Sequence, residues 1–169
     1  MAVIRPLALE EIRLLEARMP RRMPGVHRER WESQEQGTAV YLIAWQDDAP
    51  VGHLVIHWAG SVDKPVASAS SGCPNLSDIA VHPDWQSRGI GSQLMAAAER
   101  LVAQRGYQRV GLSVTLDNVR ARSLYERRGY GEAGLGPYPI RWPYLDEQGQ
   151  ERWREETCIY LIKDLRHGR

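Results

Sequence analysis

Short β-branched runs alternate with helical patterns along this chain, the arrangement expected of a mixed α/β fold. Val3 and Ile4 lead into Pro6, so Ala2 to Pro6 reads as a first strand. From Leu7 to Ala17, Leu7, Ile12, Leu14 and Leu15 stand among charged residues in a helical pattern. Pro20, Pro24 and Gly25 break that pattern, and a second, charged helix is expected over His27 to Gln36. Thr38 to Trp45 and Val51 to Trp58 are β-rich, and Gln46 to Pro50 between them reads as a hairpin turn.

Ala59 to Asn75 is rich in Gly, Ser, Ala and Pro without periodicity, a long loop for a compact domain. A fourth strand is expected over Leu76 to Val81, a long helix over Ser92 to Gln104 and a buried fifth strand over Arg109 to Thr115. Asp117 or Asn118 is placed to cap a further helix that ends at Gly129. Gly134 to Tyr144 interleaves aromatics with prolines and reads as a stiff loop; Leu145 to Glu151 reads as a turn and Thr157 to Ile162 as the last strand. No internal repeat and no boundary interrupts the pattern, so residues 1–169 are read as one domain.

The chemistry concentrates between the fourth strand and the long helix, in Gln86-Ser87-Arg88-Gly89-Ile90-Gly91-Ser92. First-turn N–H groups of a helix lack intrahelical partners, and the aligned peptide dipoles place partial positive charge there. Gly89 and Gly91 present no side chain that would keep a phosphate from the main chain, and Arg88 offers a charge-assisted contact. The stretch reads as a pyrophosphate cradle. It is not a P-loop, since no Gly-Lys-Ser/Thr follows, and Leu94 stands where a dinucleotide fingerprint needs its third glycine.

Downstream lies Asn118-Val119-Arg120-Ala121-Arg122-Ser123-Leu124-Tyr125-Glu126-Arg127-Arg128-Gly129-Tyr130. Gln86-x-x-Gly89-x-Gly91 and this second segment, taken together, resemble the GNAT superfamily of acetyl-CoA-dependent N-acetyltransferases. The resemblance is specific from Leu76 to Tyr130. It implies a central mixed, mostly antiparallel sheet with helices on both faces and splayed fourth and fifth strands. It also implies acetyl-CoA as cofactor, and an acetyl group passed directly to a primary amine in a ternary complex.

The same resemblance implies residue roles. Main-chain groups of Ile79, Ala80 and Val81 would bind pantetheine and polarise the thioester. Gln86 and the N–H groups of Arg88 to Ser92 would hold the pyrophosphate. Asn118 matches a residue that contacts pantetheine or a bound water, and its side chain is equally suited to capping the helix. Ser123 lies near enough in sequence to touch the cofactor. Tyr125 matches the tyrosine facing the cofactor sulfur; a phenol of ordinary pKa about 10 stays protonated at neutral pH and can donate to a departing thiolate.

The proton acceptor is less sharply marked. Asp78 is the nearest acid on the fourth strand, suited to a water relay, with His53 and His57 as alternatives sharing one face of the third strand. Strand alternation assigns Ser77, Ile79 and Val81 to one face and Asp78 and Ala80 to the other. For the acceptor, Tyr138, Arg141 and Trp142 are candidates: the rings offer flat surfaces and Arg141 suits a carboxylate. The same loop is equally suited to packing on its own core or on a second copy, which leaves a homodimer open.

Composition narrows the partners. Hydrophobic content of 43%, charged content of 25% and a net charge of +1 describe a soluble globular protein with no electrostatic case for nucleic acid or a membrane surface. No apolar run is long enough to span a bilayer, and the N-terminus lacks a signal-peptide pattern. Cys73 and Cys158 are in no metal or redox spacing, so free thiols in a cytoplasmic setting are expected and no metal site. Two other functions share these features: a non-catalytic acyl-CoA-binding module, and a protein-interaction domain whose aromatic loop docks a partner. A small-molecule amine and a peptide amine are both open as acceptor.

Overall fold

The computed structural model describes residues 1–166, which divide into two compact units: residues 1–58 with 76–101, and residues 59–75 with 102–166. Strand pairing is mostly antiparallel, with helices interspersed, giving the mixed α/β class expected.

In the first unit the strands run in the order β1 (Val3–Pro6), β2 (Ala39–Gln46), β3 (Ala49–His57), β4 (Asn75–Val81). The β2–β3 hairpin is tighter than expected. Asp47 and Asp48 both adopt positive φ (49° and 61°), so the turn needs only two residues, and Ala49 and Pro50 join the strand. A register shift between Ala44 and Trp45 admits Pro50 opposite Trp45. Opposite β3, the His82 N–H donates to the Val51 carbonyl, while His57 meets Ser77, so β4 runs antiparallel to β3.

Alternation along β3 assigns its two faces. A 3-10 turn at Leu9–Glu11 leads into α1 (Ile12–Arg18), and α2 (Val26–Glu35) follows the proline break. Leu7, Ile12, Leu15 and Met19 from this region pack with Tyr41, Ile43, Trp45 and Val55 into one core. The other face receives α4 (Ile90–Gln104): a Cβ added at Gly52 would lie 3.1 Å from Leu94 and 3.2 Å from Ile90. Helices therefore cover both faces of this unit.

In the second unit β5 (Arg109–Thr115), β8 (Glu151–Asp164) and β6 (Gly131–Glu132) are neighbours in that order, and β7 (Tyr138–Leu145) pairs with β8. α5 (Val119–Arg127) follows β5. Val66, Tyr138, Cys158 and Tyr160 pack into one buried cluster here, with Val66 on α3 (Lys64–Ala67), a short helix inside the segment expected to be loop.

The aromatic–proline segment is a strand, not a loop, and β8 begins at Glu151 instead of Thr157. Among the described residues β7 pairs with β8 alone, and its prolines at 139 and 143 share one parity, so both missing N–H groups can fall on the edge that needs no donor. β5 reaches β8 only as far as Cys158, which leaves residues 151–157 and 138–145 as a two-stranded ribbon in their outer half.

Candidate active site

β4 carries the first group of candidate residues. Asn75 and Leu76 are buried, whereas Ser77, Asp78, Ile79, Ala80 and Val81 are all half-buried, so this end of the strand has main-chain groups within reach of solvent. Asp78 sits at φ 53°, a left-handed conformation that costs a non-glycine residue roughly 1–2 kcal/mol. That kink breaks the alternation expected of the strand. Ser77 Oγ lies 2.7 Å from His57 Nε2, while Asp78 pairs with groups beside His53, on the same face of β3.

The Asp78 carboxylate, with its side chain only 9% exposed, forms an ion pair with Arg21 from the α1–α2 connection and stands 4.0 Å from Arg30 Nε of α2. Its Oδ2 and Arg30 Nε are both buried and lack a hydrogen-bond partner. The His53 Nδ1–H donates to the Asp78 main-chain carbonyl at 2.7 Å, and burial pushes this imidazole down to about 4. His27 is held neutral by the same effect; its Nε2–H donates to the Met19 carbonyl at 2.8 Å, which leaves Nδ1 to accept from the Tyr41 hydroxyl at 2.8 Å. His57 is also lowered, first by burial and then by the Arg30 charge. Neither His53 nor His27 has a free path to take a proton at neutral pH.

The cradle is the second group, also in the first unit. After β4 a 3-10 turn (Pro83–Trp85) ends at Gln86, whose side-chain amide donates to the Val81 carbonyl at 3.2 Å and ties the turn to the strand end. Ser87 and Gly89 then adopt φ 62° and 79°, with Arg88 between them stacked over Trp85 at 4.9 Å. Positive φ at spaced positions turns successive N–H groups toward one side, a concavity suited to an anion. α4 begins at Ile90, two residues earlier than expected, so the N–H groups of Ile90, Gly91 and Ser92 form its first turn. A Cβ built on Gly89 meets only the Gln93 amide, at 3.8 Å, so the chain leaves open the space a phosphate would take.

The remaining candidates belong to the second unit. Asn118 caps α5, its Oδ1 accepting from the Ala121 N–H at 3.1 Å. Tyr125 is buried, tilted against Tyr130 with ring centres 6.2 Å apart, and burial pushes its phenol up to about 12. Ser123 Oγ accepts from Arg127 at 2.7 Å. Tyr138 is buried in the core of this unit and shares a 2.6 Å hydrogen bond with Ser113. Arg141 is exposed, stacked 5.4 Å over Trp153 and 3.9 Å from Glu155. Trp142 donates to Glu156 at 3.1 Å beside Tyr144. Cys73 and Cys158 are buried free thiols with pKa raised by burial, Cys158 to about 11, which disfavours a thiolate nucleophile. Among the described residues no cluster suits a metal ion, and no helix is long and apolar enough to cross a membrane.

Arg21, Arg30, His27 and Tyr41 escaped the sequence reading. Arg21 lies in the proline break, which was legible only as the end of a helix, and Arg30 is one charge among many on α2. The parity of His53 and His57 was the one signal in the sequence pointing to this face.

Comparison with known proteins accords with these features. The family model described as the acetyltransferase (GNAT) family matches residues 7–130, more than half of the chain and inclusive of both motifs. A mycothiol acetyltransferase from Clavibacter sepedonicus is 42% identical over 57 residues, 34% of this chain and 19% of that protein. An uncharacterized N-acetyltransferase of Bacillus subtilis is 39% identical over 69 residues, 40% of this chain and 46% of that protein. The chain spans less than half the length of these curated relatives. Among solved structures, an N-acetyltransferase from Staphylococcus aureus superposes with TM-score 0.70 at 15% identity, covering 98% of this chain and 99% of that one. A Thermoplasma acidophilum N-acetyltransferase in complex with coenzyme A gives TM-score 0.64 at 16% identity, covering 97% and 99%. At such identities the likeness is one of fold.

Proposed function

The chain belongs to the acetyltransferase (GNAT) family, and from that premise we propose that it transfers an acetyl group from acetyl-CoA to a primary amine by direct attack. The observation that carries this reading is the family match over residues 7–130, which contains the open cradle and Tyr125 and runs through residues of both units. It supports treating residues 1–169 as one acetyltransferase domain.

Acetyl-CoA supplies the activated acyl group; the chain supplies its placement and the proton traffic. N–H groups from Arg88 to Ser92 would hold the pyrophosphate, Asn118 would contact the pantetheine or a bound water, and Ser123 would touch the cofactor. A main-chain N–H within Ile79, Ala80 and Val81 would donate to the carbonyl oxygen as negative charge develops there. The amine nitrogen forms the new C–N bond as the C–S bond breaks. Asp78 would take its surplus proton through water, and the Tyr125 hydroxyl would donate to the departing sulfur. Exchange with solvent then restores both groups. Holding amine and thioester together makes the step effectively unimolecular.

A cytoplasmic setting is part of this proposal, supported by the two unpaired buried thiols. Titration with acetyl-CoA followed by thermal denaturation tests it. Ligand at about a hundred times its Kd stabilises by about 2.7 kcal/mol, and amine-dependent thiol release should accompany the shift. Absence of any saturable shift would remove the cofactor from this reading.

A further inference from the structure

The polar groups around Asp78 are incompletely matched. Asp78 Oδ2 and Arg30 Nε are buried, 4.0 Å apart and each without a hydrogen-bond partner. A buried donor or acceptor left without a partner is costly, because it has given up its water and gained nothing in return. Charge is unmatched as well. Among the described residues the ionisable groups within 4.0 Å of the carboxylate are Arg21, Arg30 and His53, and His53 is neutral at physiological pH. Two guanidiniums therefore face one carboxylate. All of these groups lie in the first unit, and Asp78, at a left-handed φ of 53°, has its carboxylate beside the two arginines.

Resting on the acetyl-transfer reading above, we propose that the acceptor is an amine carrying one carboxylate, the carboxylate held by Arg21 and Arg30 and the amine by Asp78 through the relay water. Such a ligand presents an acceptor to the guanidiniums and, through that water, a donor to the Asp78 carboxylate, the two kinds of partner this cluster lacks. A guanidinium binds a carboxylate through parallel N–H groups, a geometry that a neutral amide cannot match in strength. In its attacking form the amine is neutral, so the ligand adds one negative charge and brings the group of three to balance. A plain alkylamine would supply a partner to Asp78 alone, and a diamine would add positive charge beside two guanidiniums. Side chains of Arg21 and Arg30 are about one-third exposed (32% and 33%), so a ligand reaches them without entering the core. Arg141 is a poorer carboxylate site, since Glu155 and Trp153 already engage it.

Thiol release by the full chain, comparing common α-amino acids with their carboxamides, tests this. The carboxylate form should lead in kcat/KM by about tenfold or more, the scale of one charge-assisted hydrogen bond. Arg21→Gln and Arg30→Gln should each collapse that ratio toward one, and Arg30→Lys should keep part of it. A wild-type preference for carboxamides or diamines, or an intact ratio in Arg30→Gln, would overturn the assignment. If no amine drives thiol release although acetyl-CoA raises Tm, calorimetric titration of the CoA-loaded protein decides. Tighter binding of amino acid than of carboxamide upholds the site; equal or absent binding sinks it. Absence of any acetyl-CoA shift overturns the acetyl-transfer reading first, and this proposal with it.

Discussion

The His53 Nδ1–H donates to the main-chain carbonyl of Asp78 at 2.7 Å, while the Asp78 carboxylate stands 4.0 Å from the same nitrogen. The ring thus supports the kink in β4 from beneath and fixes its own tautomer. With 1% of its surface exposed, it is a strut for the backbone and not a base open to substrate.

That placement makes folding stability depend on pH. Folded His53 titrates near 4, whereas the unfolded residue titrates near 6.5. Between those values the unfolded chain binds the extra proton, so stability is full above about pH 6.5 and falls as pH drops toward 4. The loss amounts to about 3 kcal/mol at most from this residue, and His27 and His57 add in the same direction. Thermal melts at pH 7 and pH 5 should show the decline, and His53→Gln should flatten it. A variant with the wild-type slope would mean that His53 is not the coupled group.

In the second unit, Gly111 and Tyr160 occupy one volume. A Cβ at Gly111 would stand 2.2 Å from the Tyr160 hydroxyl oxygen and within 2.7 Å of two ring carbons. Tyr160 is buried, and a rigid ring pinned in a core has little room to retreat. Gly111→Ala should destabilise by roughly 1–3 kcal/mol through overpacking. Urea unfolding reads this directly; an unchanged midpoint would show that the ring moves freely.

Elements with a strong period were legible from residue types alone. β5 runs from Arg109 to Thr115 as expected, and β2, β3, β4 and α4 differ from expectation by only one or two residues at their ends. The misreadings have physical causes. Pro139 and Pro143 suggest a loop until the partner is known, because only an edge strand leaves their missing N–H groups without consequence. The charged start of β8 carries no apolar alternation, since in the ribbon it is covered by β7 alone. Of the candidate site, the cradle was legible because glycine spacing governs main-chain geometry. The Arg21–Asp78–Arg30 cluster was not, because charges distant in sequence meet only through the packing of α2 on β2 and β3.

Gly89 separates backbone strain from charge at the cradle. Its φ of 79° penalises any side chain, so Gly89→Ala should destabilise the fold by about 1 kcal/mol, read as a modestly lower Tm, while retaining weakened acetyl-CoA binding. Gly89→Asp adds a negative charge where the pyrophosphate is proposed to sit and should abolish the acetyl-CoA thermal shift. Circular dichroism would verify that both variants fold. A folded Gly89→Asp protein with a normal shift would dismiss the cradle.

Tyr125 offers the sharpest test of the chemistry. Burial raises its phenol to about 12, so the hydroxyl stays protonated throughout the physiological range and can hydrogen-bond the departing sulfur as negative charge develops on it. Tyr125→Phe keeps the ring and its packing on Tyr130 but removes the proton. The expected result is a fall in kcat of about 100-fold, within the usual range for general acid catalysis, with acetyl-CoA affinity nearly unchanged. Thioester analogues with more acidic leaving thiols should restore part of the rate, because a better leaving group needs less protonation. If kcat is unaffected, or if the variant's rate is insensitive to the leaving group, the departing thiolate draws its proton from elsewhere.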